Sequence, residues 1–182
     1  MLELIRLQSV NHDLFAQAWQ LYEQSFPTDE RRTIANQAPL LTYEVYHFNA
    51  VLFQDRFVGL ILWWKFDTVC FIEHIATSPA IRGKGIGSRI ITQFQRNNAE
   101  HILLEVDLPK DDISQRRILF YQRLGFQLNQ HPYQQPALNE DSQPVDLLLM
   151  SYPHAITASQ VKGFISTYHP IIYPAIDTQL TT

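Results

Sequence analysis

The sequence is poor in cysteine, short of cations and free of long apolar stretches. Cys70 is the only cysteine among 182 residues, which excludes an intrachain disulfide and a multi-cysteine zinc centre. Lysine and arginine total 14 against 18 aspartates and glutamates, giving a formal net charge of −4 and a pI of about 5.9. A general polyanion binder is normally basic, so this balance argues against nucleic acid as a partner. The most apolar run, 57–64, has eight residues including Gly59, far below the roughly 20 that cross a bilayer. The first residues, Met1-Leu2-Glu3-Leu4-Ile5-Arg6, carry charge where a signal peptide needs an apolar core. These absences predict a cytoplasmic protein with no membrane partner. What is present is globular: 46% of residues are apolar and 12% aromatic. A mass of 21.2 kDa suits one domain with a short appendage.

Residue patterning predicts alternating elements. A first strand covers 2–7, and Asn11 caps a helix to about Ser25 with Leu14, Phe15, Ala18, Trp19 and Tyr22 on one face. Thr28 caps a short second helix that Pro39 ends. Strands are expected at 42–53 and 57–66, joined as a hairpin through Gln54-Asp55-Arg56, and at 69–77. A glycine-rich turn at 82–87 leads into a helix carrying Ile86, Ile90, Ile91 and Phe94 on one stripe. A strand at 101–107 follows, then a helix capped by Ser114 and stopped by Gly125. Closing strands at 126–128 and 145–150 flank a Pro-, Gln- and Asn-rich loop, 129–144. Beyond Pro153, Thr157 and Gln160 have capping-box spacing for a helix that Pro170 ends. The order is that of an α/β fold with mixed strand direction. The expected division is a domain at 1–153 and a C-terminal helix and tail at 154–182, packed through Phe164, Ile165, Ile171, Ile172 and Tyr173 on the core or on a homodimer partner.

Arg82-Gly83-Lys84-Gly85-Ile86-Gly87 carries the first functional signal. Glycines there allow positive φ and a close backbone approach. The exposed amides and the positive helix end suit a phosphate, and Arg82 and Lys84 add charge. A Walker loop fails because Gly85 follows Lys84. A dinucleotide fingerprint lacks its third glycine, since position 88 is serine, although Glu105 sits 20 residues after Gly85. Some 80 residues precede the turn, whereas a dinucleotide motif usually opens its domain.

A second motif, Tyr121-Gln122-Arg123-Leu124-Gly125-Phe126, follows about 35 residues later. With Arg82-x-x-Gly85-x-Gly87 it resembles the GNAT superfamily of acyl-CoA-dependent N-acetyltransferases, and Phe71-Ile72-Glu73-His74-Ile75-Ala76-Thr77 is similar to that family's central strand. The resemblance covers about residues 1–150. It implies a GNAT-like mixed, largely antiparallel central sheet flanked by helices, with a C-terminal helical appendage. It also implies acetyl-CoA as co-substrate, no metal, and a small-molecule or peptide amine as acceptor. By resemblance, the pyrophosphate lies on Arg82, Gly83, Lys84, Gly85, Ile86, Gly87 and Ser88, and the pantetheine arm on the backbone of Ile75, Ala76 and Thr77. Ser114 stands where members often carry an asparagine that contacts the cofactor. A noncatalytic acyl-CoA-binding or partner-binding domain of the same fold is the alternative.

Acetyl transfer needs a neutral amine, a polarised thioester carbonyl and a proton for the departing sulfur. Tyr121 matches the family's general acid, or else is a core tyrosine in register with Ile118 and Leu124. The base is Glu73, Glu105 or a water chain. In a regular strand Glu73 shares a face with Phe71 and Ile75, and His74, a structural residue on this reading, points the other way. Cys70, with no histidine nearby in sequence to activate it, reads as a buried inert thiol. On the acceptor side, Asp29 or Glu30 could hold an ammonium and Arg31 or Arg32 a carboxylate, or the stretch is a solvated helix start. Tyr133, between Pro132 and Pro136, is a lid aromatic or surface packing.

Overall fold

The computed structural model describes residues 2–98 and 101–174. Two strands meet in a tight connection at Gln54 and Asp55. Both have positive φ, 53° and 59°, the conformation of a two-residue hairpin turn. They join β2 (Tyr46–Phe53) to β3 (Arg56–Lys65), so the loop is one residue shorter than the sequence suggests and Arg56 pairs with Phe53. β2 also begins later than expected, because Pro39–Thr42 folds as a 3-10 turn. β1 (Leu2–Arg6) runs antiparallel to β2, and β4 (Val69–Thr77) antiparallel to β3.

The contacts divide the chain into two units: one holds residues to Phe26 and Ile34–Leu104, the other Pro27–Thr33 and Glu105 onward. The strand order is β1-β2-β3-β4-β5 in the first, where β5 (His101–Asp107) pairs parallel to β4, and β5-β7-β6 in the second. β6 (Gln127–Gln135) and β7 (Val145–Tyr152) are antiparallel. This is a mixed, largely antiparallel α/β sheet of seven strands, as expected.

In the first unit α1 (Phe15–Ser25) lays Phe15, Ala18, Leu21 and Tyr22 inward. It starts four residues after Asn11, because Ser9 and His12 already accept the amides of that stretch: His12 N bonds the Ser9 carbonyl and Leu14 N bonds His12 Nδ1. Thr28–Glu30 is only a 3-10 turn, and α2 (Ile34–Gln37) is a single turn. Trp64, Tyr22, Tyr46, Phe48 and Phe71 are fully buried and form the centre of this unit. α3 (Ile86–Asn97) buries Ile86, Ile90, Ile91 and Phe94, the expected stripe. Cys70 is buried, with its thiol toward Asn98 Oδ1 at 3.6 Å.

In the second unit α4 (Asp112–Arg123) is capped by Asp111, not Ser114. Ser114 is the third helical residue and completes a capping box: its amide bonds Asp111 Oδ1 at 2.7 Å and its hydroxyl accepts from Asp111 N at 3.2 Å. β6 is much longer than the sequence suggests. Residues 130–132 bulge out of register between the Asn129–Leu149 and Tyr133–Leu147 pairs. An edge strand tolerates Pro132 at such a bulge, because its missing N–H costs no ladder bond. Asn129 fastens the bulge by donating to the Leu149 carbonyl and accepting from Ile156 N. α5 (Ala158–Ile172) has the predicted Thr157–Gln160 capping box but runs through Pro170. A proline so near the C-terminal end removes one amide where the helix is about to stop. Val161, Phe164, His169 and Ile172 are the buried residues of α5. The remainder of the expected appendage, 175–182, lies outside the described residues.

Candidate active site

The first unit carries the residues predicted to bind the acyl donor. Gly59 of β3 sits against β4 so closely that a Cβ would lie 2.4 Å from the Ala76 carbonyl oxygen. Glycine there lets β3 and β4 close up beside Ile75, Ala76 and Thr77. After Thr77 a 3-10 turn, Pro79–Ile81, leads to the glycine turn. Gly83 and Gly85 adopt φ of 78° and 73°, and a Cβ at either would meet nothing within 4 Å. Their glycines are therefore required by backbone conformation and leave open space over the turn. Gly85 is the N-terminal cap of α3, so the amides of Ile86, Gly87 and Ser88 have no intrahelical acceptor. Those amides and the positive end of a 12-residue helix favour an anion. A groove of about 560 Å³ runs along α3 from Ser88 past Arg89 and Gln93 to Arg96.

β4 also contains an irregularity that alternation does not show. Leu62 pairs with His74 but Trp63 pairs with Ile72, so Glu73 is an extra residue in β4, a β-bulge. The bulge turns Glu73 and His74 toward the same face, the face of Leu62 and Trp64. Trp64 Nε1 donates to Glu73 Oε2 at 3.2 Å, and the His74 ring packs edge-on against Tyr22 and Phe26. The expectation that His74 points away from Glu73 is thus corrected. Glu73 is 8% exposed.

The second unit carries the other candidates. Tyr121 lies on the inner side of α4, 6% exposed, with its ring edge-on to Phe120 and Phe126. Burial pushes its hydroxyl up to about 12, against a smaller opposing effect of the Arg117 cation. The group is a proton donor across the whole physiological range. Ser114 is 4% exposed, and its hydroxyl is engaged with the carbonyl and carboxylate of Asp111 at 3.0 and 2.8 Å.

Glu105 is the centre of a network. Its Oε1 accepts from the Tyr133 hydroxyl at 2.5 Å and from the Tyr173 hydroxyl at 2.8 Å. His169 Nε2 lies 2.9 Å from the Tyr133 oxygen. Tyr133 is 5% exposed, so it is neither a lid nor surface packing. His169 and Tyr173 were not legible as site residues: they stand 64 and 68 positions from Glu105, at the end of α5 and just after it, outside both functional motifs.

The stretch 27–33 is held by its own unit. Asn139 Nδ2 donates to the carbonyls of Thr28 and Arg31, both at 3.0 Å. Arg32 is 3% exposed and donates to the Ile172 carbonyl at 2.6 Å, so it serves the fold and not an acceptor carboxylate. Burial and the Asp107 charge raise the pKa of Glu30, while Arg117, paired with Asp107, works the other way. No group of three or more metal-ligating side chains occurs among the described residues. No helix among them is long and apolar enough to cross a membrane.

Comparison with known proteins places these features in a family context. The sequence profile of the "Acetyltransferase (GNAT) domain" matches residues 44–128, which include β4, the glycine turn and Tyr121. A solved structure, "Putative acetyltransferase from GNAT family from Bacteroides thetaiotaomicron", is 30% identical with a TM-score of 0.85, covering 95% of this chain and 98% of that one. "Putative acetyltransferase YjbC" of Bacillus subtilis is 30% identical over 105 residues, 56% of this chain. The match spans only about half of that relative, 52% of its length. Arabidopsis thaliana Naa50, solved with the bisubstrate analogue CoA-Ac-MVNAL, shares the fold at 19% identity and a TM-score of 0.60, covering 85% of this chain and 99% of that one.

Proposed function

The chain belongs to the GNAT acetyltransferase family, and we propose that it transfers the acetyl group of acetyl-CoA to a primary amine by direct attack. The observation that carries this reading is the pair of left-handed glycines, Gly83 and Gly85, with open space above them at the start of α3. That turn fits a pyrophosphate, which the backbone amides of 83–88 would hold, with Arg82 and Lys84 adding charge. The backbone of Ile75, Ala76 and Thr77 would take the pantetheine arm. Acetyl-CoA supplies the activated acyl group; the protein supplies orientation and proton control.

Three tasks fall to this chain. An alkyl amine has a pKa near ~10.4, so only about one in a thousand is neutral at pH 7, and its deprotonation is worth up to roughly 4–5 kcal/mol. A carboxylate, Glu73 or Glu105, takes that proton. A backbone N–H at the end of β4 polarises the thioester carbonyl as the amine nitrogen attacks its carbon. Tyr121 gives its proton to the sulfur as the carbon–sulfur bond breaks, leaving an amide and a free thiol. Its raised pKa keeps the hydroxyl protonated at neutral pH. The protein acts in the cytoplasm without a metal.

Calorimetric titration with acetyl-CoA and with desulfo-acetyl ester analogues tests the donor half of the proposal. Binding of acetyl-CoA that disappears in Gly85→Asp, with the fold intact by circular dichroism, is the expected result. Absence of acetyl-CoA binding by the wild-type chain would refute it.

A further inference from the structure

The groove along α3 has a lining that the acyl-donor reading does not use. α3, β1 and β2 all belong to the first unit. Leu2 and Phe53 are cross-strand partners in the β1–β2 ladder. Gln93 Nε2 donates to the Leu2 carbonyl at 3.0 Å and so ties α3 to β1. The Arg89 guanidinium lies over the Phe53 ring, 4.7 Å from its centroid, which steadies that side chain beside the groove. The groove, of about 560 Å³, has Ser88 and Arg89 at one end, Thr92 in the middle, and Arg96 and Asn97 at the other. Its lining holds two guanidiniums and no carboxylate among the described residues, on a chain whose net charge is −4. Arg89 and Arg96 are seven residues apart, close to two full turns, so they project from one face of α3 with about 10 Å of helix axis between them. The Arg96 end lies eleven residues beyond Gly85, about 16 Å along the axis. β1 is three strands away from β4, which carries Ile75, Ala76 and Thr77.

We propose that this groove binds an elongated small molecule carrying two phosphate groups about 10 Å apart, one on Arg89 with Ser88 and the other on Arg96 with Asn97. An arginine fork takes two oxygens of an oxyanion in parallel bonds, which satisfies a carboxylate. A phosphate monoester has a third acceptor oxygen. The Ser88 hydroxyl supplies a donor for it at one end and the Asn97 amide at the other. Between the two ends, Thr92 and Leu2 offer one hydroxyl and apolar surface, which suits an uncharged linker. The volume is within the range of small-molecule sites. This site does not depend on the acetyl-transfer reading.

Calorimetric titration of the full chain, near neutral pH and in physiological salt, compares four probes. Hexane-1,6-diol bisphosphate spans the distance; propane-1,3-diol bisphosphate, octanedioate and inorganic phosphate are the controls. The six-carbon bisphosphate should bind at least about tenfold more tightly than each control, because both ends engage at once. Arg89→Gln and Arg96→Gln should each remove that advantage, whereas Arg82→Gln combined with Lys84→Gln should leave it within about twofold. All four side chains are exposed, so the variants should fold, and circular dichroism checks that they do. A six-carbon probe that binds no more tightly than inorganic phosphate overturns the proposal. Equal binding of the three-carbon probe or of octanedioate overturns it as well, the first on spacing and the second on phosphate. Loss of binding on removal of Arg82 and Lys84, with none on removal of Arg89 or Arg96, would put the probe on the glycine turn and overturn it too. Saturating acetyl-CoA should leave the bisphosphate affinity within about twofold, and full competition would likewise place the probe on the turn. If the chain binds no acetyl-CoA, the proposed function is what has failed, and the arginine variants still decide the groove.

Discussion

Replacing Tyr121 by phenylalanine separates chemistry from packing more cleanly than any other change. The ring is 6% exposed and lies edge-on to Phe120 at 5.1 Å and Phe126 at 5.7 Å. Phenylalanine keeps both contacts. Burial raises the pKa of its hydroxyl to about 12, opposed by the Arg117 charge. Removing the hydroxyl orphans no described partner, so stability should change by less than about 1 kcal/mol. For a chain of this size that is a shift of about 2–4 °C in Tm at most. If the hydroxyl protonates the departing sulfur, its loss should reduce kcat by about 10²-fold, the low end of general acid effects, because a solvated thiolate is a fair leaving group. That is about 2.7 kcal/mol in the barrier. Acetyl-CoA affinity should stay near wild type. Turnover by thiol release and melting temperature are measured on the same protein sample. Turnover within about threefold of wild type would remove Tyr121 from the mechanism. A large fall in Tm with little loss of rate would assign it to the core instead.

Gly85→Asp sets an anion and a strained left-handed residue where φ is 73°; acetyl-CoA affinity should fall at least about tenfold, with a strain of about 1–2 kcal/mol seen in the Tm. Burial lowers the pKa of both His47 and His169 to about 4. Their contribution is therefore complete above about pH 6.5 and is lost as pH falls toward 4; urea unfolding at pH 7 and pH 4.5 measures it, and His169→Gln should flatten part of the slope. Truncation at Pro153 removes Val161, Phe164 and Ile172 and strips Arg32 of the Ile172 carbonyl, so it should cost about 5 kcal/mol or more; a truncated chain with an unchanged Tm would contradict the packing described for α5.

What the sequence made legible was local. The glycine turn, the stripe of Ile86, Ile90, Ile91 and Phe94, and the Thr157–Gln160 capping box each depend on residues within a few positions of one another, and each was found in place. Three features escaped because their cause lies elsewhere in the chain. The extra residue at Glu73 is a matter of register with β3, and no residue type announces it. β6 is a strand despite Pro132 and four glutamines because it is paired on β7 and its bulge absorbs the proline. The Glu105 network depends on side chains 28, 64 and 68 positions apart, so neither periodicity nor spacing could expose it. The candidate acid and both candidate carboxylates were nevertheless named from the sequence, because Tyr121 belongs to a motif and the carboxylates lie on the two strands beside the glycine turn in chain order.

The central claim is acetyl transfer from acetyl-CoA to an amine, and its most direct measurement counts both products of one reaction. The chain is incubated with acetyl-CoA and, in turn, spermidine, tyramine, lysine amide and an alanyl peptide, free thiol is quantified, and the amine is weighed by mass spectrometry. The account predicts, for at least one amine, one thiol released for each amine that gains the mass of an acetyl group. Tight acetyl-CoA binding with neither product formed on any amine would contradict it, as would thiol release with every amine unmodified.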